Sequence, residues 1–205
     1  MNSEKILTVL LLTGTIVLSA AKPLDLGENN WRGAEKQMLP NGTNVYQFTG
    51  KNHISFTYKN LPGSFTFTAW VKPDSAALKG SPFMTKVGFH TQIGIHRDGR
   101  FFFHAWNEFK KPLFVFGSKA EAGKWYFIAG AYFRKTGTMT LYVDGKKAGE
   151  QKIREDLLKT TDQFSLAASH SKNPFYSGLL AGVHIFGEAL TPGEIQKLAQ
   201  NKPDL

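Results

Sequence analysis

The stretch at residues 125–149, WYFIAGAYFRKTGTMTLYVDGKKAG, constrains the fold more than any other part of the chain. Two runs rich in β-branched and aromatic residues, 125–133 and 138–144, flank the polar break Arg134-Lys135-Thr136-Gly137. Such runs suit strands, and the short polar break between them reads as a hairpin loop. Asp144-Gly145 follows at once and supplies the positive φ that a type I′ turn or an αL bulge requires. Pairing across a four-residue loop puts Ile128, Gly130 and Tyr132 on one face with Met139, Leu141 and Val143. Trp125, Phe127 and Ala129 fall on the other face with Thr140 and Tyr142. Neither face is polar throughout, so the hairpin belongs inside a packed sheet and not at a solvated edge.

The remaining sequence repeats that theme in shorter pieces. Strand-like runs at 45–49, 53–58, 65–72, 83–87, 90–97, 100–106, 113–117, 164–169 and 179–186 are separated by Gly, Pro, Asn and Asp. Residues 65–72 alternate cleanly, with Phe65, Phe67, Ala69 and Val71 facing one way and Thr66, Thr68, Trp70 and Lys72 the other, and Pro73 is expected to stop the run. Residues 22–43 read as irregular. Two helical signals appear: a weak one at 154–159, and Thr191-Pro192-Gly193-Glu194. The second is a capping box with Pro at the first helical position, opening a short helix over 192–201. About a dozen short strands with no internal repeat predict an all-β fold, a two-sheet antiparallel jelly-roll sandwich with one short C-terminal helix.

The first 21 residues are set apart from this pattern. Lys5, the apolar run 6–18 and the small residues Ser19-Ala20-Ala21 read as a secretory signal peptide, too short for a bilayer span. The expected organisation is therefore a signal peptide at 1–21 and one domain over 22–205, secreted to an extracellular or periplasmic location. The protein has 205 residues, 41% hydrophobic content, 17 Phe and no Cys, enough apolar surface for one core but no disulfide framework. Its net charge of +9 suits an acidic polysaccharide, an anionic surface or nucleic acid. The lysines are scattered, however, and Lys110-Lys111 and Lys146-Lys147 are only doublets, so a specific nucleic-acid site is not expected.

Three segments resemble one family. Residues 65–73, FTFTAWVKP, are similar to an early strand ending in Ala-Trp-Val-Lys-Pro. Gly123-Lys124-Trp125 leads into Ile128-Ala129-Gly130-Ala131-Tyr132 and then Leu141-Tyr142-Val143-Asp144-Gly145-Lys146. Phe175 and Gly178 lead through Val183-His184-Ile185-Phe186 to Glu188-Ala189-Leu190-Thr191. Their order resembles the laminin-G-like jelly-roll family within the concanavalin A-like lectin and glucanase superfamily. The resemblance implies two antiparallel sheets, one concave, with ligands on the concave face or at the loop rims. Family members often carry acidic residues at two places that here read Phe48-Thr49-Gly50-Lys51-Asn52 and Leu180-Ala181-Gly182-Val183. Both lack carboxylates, so a calcium site is not implied, and no other cofactor is expected. Asp74, Asp98 and Asp144 sit at turns, where local backbone hydrogen bonding accounts for them.

The segment HTQIGIHRDGRFFFHAW, residues 90–106, is the best functional candidate. A two-residue loop at Asp98-Gly99 mixes polar and apolar side chains on both faces. A three-residue loop ending in a Gly bulge pairs Ile95 with Phe101 and segregates them. Ile93, Ile95, Phe101, Phe103 and Ala105 then form a core face. The opposite face carries Gln92, His96, Arg100, Phe102, His104 and Trp106, followed by Asn107. Flat aromatics beside fork-like donors suit the apolar faces and hydroxyls of sugars. The histidines lack zinc spacing and have no carboxylate between them, so no metal site is expected.

Among function classes, a non-enzymatic lectin-like module ranks first. A glycoside hydrolase needs two carboxylates across a cleft, and no strand carries two acids. A polysaccharide lyase is the alternative. Tyr126-Phe127-Ile128-Ala129-Gly130-Ala131-Tyr132 resembles the Tyr-Phe-x-Ala-Gly-x-Tyr strand of alginate lyases, and Gln92-Ile93-Gly94-Ile95-His96 echoes their Gln-Ile-His. Their Arg-x-Glu-x-Arg strand is absent. A third reading is an extracellular adhesion module that binds a protein partner.

Overall fold

The computed structural model describes residues 31–32, 34–40, 42–57, 63–86, 91–158, 163–168 and 176–202. The expected signal peptide at 1–21 lies outside the described residues, as does His90. Besides two single-turn 3-10 helices at Ala77–Lys79 and Arg134–Thr136, fourteen strands and one α-helix are found among the described residues. They are β1 (Trp31–Arg32), β2 (Glu35–Met38), β3 (Asn44–Thr49), β4 (His53–Thr57), β5 (Phe65–Pro73), β6 (Ser81–Lys86), β7 (Thr91–Ile95), β8 (Arg100–Trp106), β9 (Pro112–Lys119), β10 (Tyr126–Phe133), β11 (Thr138–Val143), β12 (Lys146–Lys152), β13 (Gln163–Leu166), β14 (Ser177–Phe186) and α1 (Pro192–Leu198). They form two seven-stranded antiparallel sheets, ordered β1-β4-β13-β6-β7-β8-β9 and β12-β11-β10-β5-β14-β3-β2.

The central hairpin has the register its side chains dictate. Phe133 pairs with Thr138, Gly130 with Leu141 and Ile128 with Val143 across the loop at 134–137. Asp144 and Gly145 both take positive φ, 51° and 75°, between the paired Val143 and Lys146, as a two-residue turn demands. Strand β10 lies between β11 and β5, so both of its edges are paired. Its inner face, Tyr126, Ile128 and Tyr132, enters the space between the sheets with Phe65, Phe67, Phe103, Met139 and Leu141. Rings interlock there: Phe65 meets Phe103 edge-on at 6.4 Å and Phe67 meets Phe164 edge-on at 5.7 Å. Gly130 faces Phe103 so closely that a Cβ would lie 3.0 Å from the ring, which explains a glycine in the middle of a core strand.

The outer face of the second sheet is also apolar, and α1 covers it. Trp70, Phe127, Ala129, Tyr142 and Phe186 pack with Leu190 and Ile195. The helix starts as its sequence predicts, with Thr191 and Glu194 closing a reciprocal capping box, and it ends at Leu198, earlier than expected. Thr66 ties the approach to the helix onto β5, donating to the Glu188 carbonyl at 2.8 Å and accepting the Leu190 N–H at 2.9 Å.

Strand β5 stops at Pro73 as expected, with the proline as its last residue, one position beyond the expected run. Several elements differ from expectation. Residues 35–38, expected to be irregular, form β2, and Lys146–Lys152 form β12. Both are edge strands with largely exposed side chains, so no buried face imprints alternation on their sequence. The weak helix expected from 154 is absent over 154–158. That segment instead runs against the β8–β9 loop, with Asn107 bridging Leu157.

Candidate functional site

The β7–β8 hairpin adopts the segregating register. Ile95 pairs with Phe101, Gly94 with Phe102 and Gln92 with His104. The loop closes through His96 N–H to Arg100 O and Gly99 N–H to His96 O, both 2.8 Å, with Gly99 at φ 84° in the bulge position. Ile93, Ile95, Phe101, Phe103 and Ala105 are at most 1% exposed in the core. Pairing of β8 with β9 then places Phe116 beside Phe102 and Phe114 beside His104 on the outer face.

That outer face is an aromatic surface. The Phe114 and Phe116 rings lie parallel within 3° with centroids 5.6 Å apart. His104 sits 4.4 Å from Phe114, and Trp106 lies 5.8 Å from His104. The His96 ring meets Phe116 edge-on at 5.2 Å, and the Arg100 guanidinium stands over the same ring at 4.1 Å. Phe102 and His104 are each 6% exposed, which makes them the floor of the face. Phe114 is 39% exposed, while Gln92, His96, Arg100, Trp106 and Phe116 are half-buried and reachable from solvent. Asn107 is 2% exposed, and its side-chain carbonyl accepts the Lys111 N–H at 2.8 Å. It closes the next turn and presents little to a ligand.

Asp98 organises the polar end of this surface. It accepts the Arg100 backbone N–H at 3.0 Å and the Arg100 Nε–H at 2.9 Å, and Nη2 lies 2.7 Å from its carboxylate. His96 Nδ1 is 3.1 Å from the other oxygen. The Arg100 side-chain hydrogen bonds hold the Asp98 carboxyl well below the usual carboxylate range, so it stays ionised and keeps the guanidinium in place. Arg100 therefore offers a fixed fork of donors whose charge is already matched. Sequence reasoning missed Phe114 and Phe116, whose alternation with Leu113 and Val115 marks an outward face once β9 is known to pair with β8. It also gave Asp98 a turn role alone.

The other sequence candidates are engaged elsewhere. Asp74 accepts the Ala76 and Ala77 N–H groups at 2.8 and 3.1 Å, and the Ser177 hydroxyl donates to its second oxygen. Asp144 accepts the Phe127 N–H at 2.9 Å. Tyr126 and Tyr132 lie between the sheets, 4% and 2% exposed, and the Tyr126 hydroxyl accepts the Glu121 N–H at 3.0 Å. Burial pushes the Tyr132 hydroxyl above the ordinary tyrosine value, the wrong direction for a base. Among the described residues no group of three or more His, Cys, Asp or Glu is placed to hold a metal ion.

A laminin-G family profile, described as the concanavalin A-like lectin/glucanases superfamily, matches residues 48–196. No curated protein matches the chain by sequence. Similar solved structures include the binding domain of Paraclostridial Mosquitocidal Protein 1, with a TM-score of 0.67 at 13% identity over 82% of this chain and 45% of that one. The receptor-binding domain of botulinum neurotoxin C/D mosaic serotype gives 0.66 at 13% identity over 84% and 46%. The chain thus spans about half the length of those toxin domains. Domain 4 of AbnA, an extracellular arabinanase from Geobacillus stearothermophilus solved with arabinotriose, gives 0.65 at 19% identity over 82% of this chain and 81% of that one. At these identities the likeness is one of fold.

Proposed function

Since the chain belongs to the concanavalin A-like lectin/glucanase superfamily, we propose that it is a secreted, non-enzymatic module that binds a polysaccharide or glycan on the outer face of β7, β8 and β9. One observation carries this reading. Phe114 and Phe116 present parallel rings on an exposed sheet face with an aligned, charge-matched Arg100 fork at one end and Trp106 and His104 at the other. Parallel rings offer a platform for sugar C–H faces, and the Arg100, His96 and Gln92 groups reach the surrounding hydroxyls. The arabinotriose complex of the similar arabinanase domain supports a carbohydrate on this fold. The lyase alternative loses support because its two candidate tyrosines face the core and not a cleft.

The test is binding to a panel of neutral and acidic polysaccharides, read by affinity electrophoresis beside a thermal melt. Phe114→Ala and Trp106→Ala should each abolish binding and leave the melting transition in place, because both side chains are partly solvated already. Unchanged binding in both variants, or accumulation of unsaturated ends absorbing in the ultraviolet, would overturn the reading.

A further inference from the structure

A second surface, unused by the carbohydrate reading, lies at the end of the sandwich where residues 153–158 cross two loops. The β8–β9 turn at 107–111 is fixed from within. Asn107 N–H donates to Lys111 O at 3.1 Å, Lys110 N–H to Asn107 O at 2.9 Å, and Lys111 N–H to Asn107 Oδ1 at 2.8 Å. It is also fixed from outside, through Glu108 N–H to Asp156 O and Leu158 N–H to Trp106 O, both 2.9 Å. Yet Phe109, at the apex of this braced turn, is 65% exposed. A single exposed aromatic is common on protein surfaces, and what sets this one apart is the second exposed phenylalanine and the cations that share its end of the sandwich.

The β10–β11 loop reaches the same place. The Asp156 carboxylate accepts Arg134 Nε–H at 3.1 Å, and Ile153 N–H donates to Gly137 O at 2.7 Å. Phe133, which enters that loop, is 44% exposed. Each loop thus shows an exposed phenylalanine followed by two cations: Phe109-Lys110-Lys111 and Phe133-Arg134-Lys135. Asp156 matches the charge of Arg134. Among the ion pairs of the described residues none engages Lys110, Lys111, Lys135 or Arg154, and all four are exposed. The acids at this end are Glu108, Glu155 and Asp156, three against five cations, so its charge is positive.

We propose that this end of the sandwich docks on an anionic lipid bilayer, with Phe109 and Phe133 entering the headgroup–acyl boundary and Lys110, Lys111 and Lys135 facing the lipid charges. Two separate aromatic tips flanked by lysines fit a fluid surface that admits each ring on its own. A folded protein partner would ask for one contiguous apolar patch. Aromatic rings favour the interfacial depth, and basic side chains gain from anionic headgroups at the same level. The attachment is peripheral: among the described residues no helix is long and apolar enough to cross a membrane. Trp106 leads directly into the β8–β9 turn, so docking would bring the aromatic face of β8 and β9 alongside the membrane.

Flotation with vesicles of phosphatidylcholine alone, and of phosphatidylcholine containing phosphatidylserine, tests the idea without any glycan, so its result is independent of the carbohydrate reading. Binding should appear only with phosphatidylserine and weaken as salt rises. The double variant Phe109→Ser with Phe133→Ser should bind at least about tenfold more weakly, with an unchanged thermal transition. Lys110→Glu with Lys111→Glu should remove binding. In Phe109→Trp, indole emission should shift to the blue only with the anionic vesicles. Equal binding to both vesicle types, no binding at low salt, or full binding by the double phenylalanine variant would each overturn the proposal. The last outcome would leave only a diffuse attraction of the basic protein.

Discussion

Thr66 and Thr68 sit two residues apart on the same outward face of β5, 0% and 1% exposed, and the structure assigns them opposite energetic signs. The Thr66 hydroxyl donates to Glu188 O at 2.8 Å and accepts Leu190 N–H at 2.9 Å, fastening the segment that leads into α1. The Thr68 hydroxyl has no hydrogen-bond partner among the described residues. Valine matches threonine in shape, so Thr→Val at each position isolates the hydroxyl. At position 66 the loss of one bond costs about 1 kcal/mol, and the Leu190 N–H left buried without an acceptor adds roughly 1–3 kcal/mol, for about 2–4 kcal/mol in all. At position 68 the substitution removes a buried hydroxyl that nothing satisfies and should stabilise by about 1 kcal/mol. In urea, where m is about 1–3 kcal/mol/M, the two midpoints should separate by at least about 1 M in opposite directions from the wild type. Trp70 and Trp125, which pack in the cluster under α1, supply the fluorescence signal. Equal shifts for the two variants, or a loss of more than about 1 kcal/mol at position 68, would refute the reasoning that hydrogen-bond satisfaction separates these residues.

Gly137 is left-handed at φ 61°, and a Cβ there would stand 2.0 Å from the Ile153 carbonyl oxygen, so Gly137→Ala should cost more than about 2 kcal/mol in a denaturation curve. Gly99→Ala is its control, since φ 84° is equally left-handed but nothing lies within 4 Å, and it should cost only about 1 kcal/mol. Burial lowers the His184 imidazole below its ordinary value of 6.5, despite the Gly182 carbonyl 2.7 Å from Nδ1. The folded protein favours neutral His184 while the unfolded chain takes up the proton, so this contribution is full above 6.5 and is lost as pH falls below it. Stability measured down that range should decline less steeply in His184→Gln.

The β7–β8 hairpin was legible because its register is a local matter. Three loop residues, one glycine and a split between apolar and polar side chains leave one pairing that buries the right face. The same holds for the central hairpin and for the capping box of α1. Strands β2 and β12 were not legible, because an edge strand with solvated side chains carries no alternation for a reader to find. The Tyr-Phe-x-Ala-Gly-x-Tyr strand shows the opposite hazard. Its spacing resembles a catalytic strand, yet the same spacing turns both tyrosines into the core.

The amino-acid order alone therefore determined the sandwich class, the two principal hairpins and which side chains of β7 and β8 face away from the core. Tertiary structure decided what stands beside them. Phe114 and Phe116 join His96, Arg100 and His104 only because β9 pairs with β8, and the loops that carry Phe109 and Phe133 share one end only because residues 153–158 bond to both. Alternation within a strand follows from the pleat and is written in consecutive residues. The neighbour across a sheet or at the end of a sandwich follows from closing long loops, a choice made by the packing of the whole core.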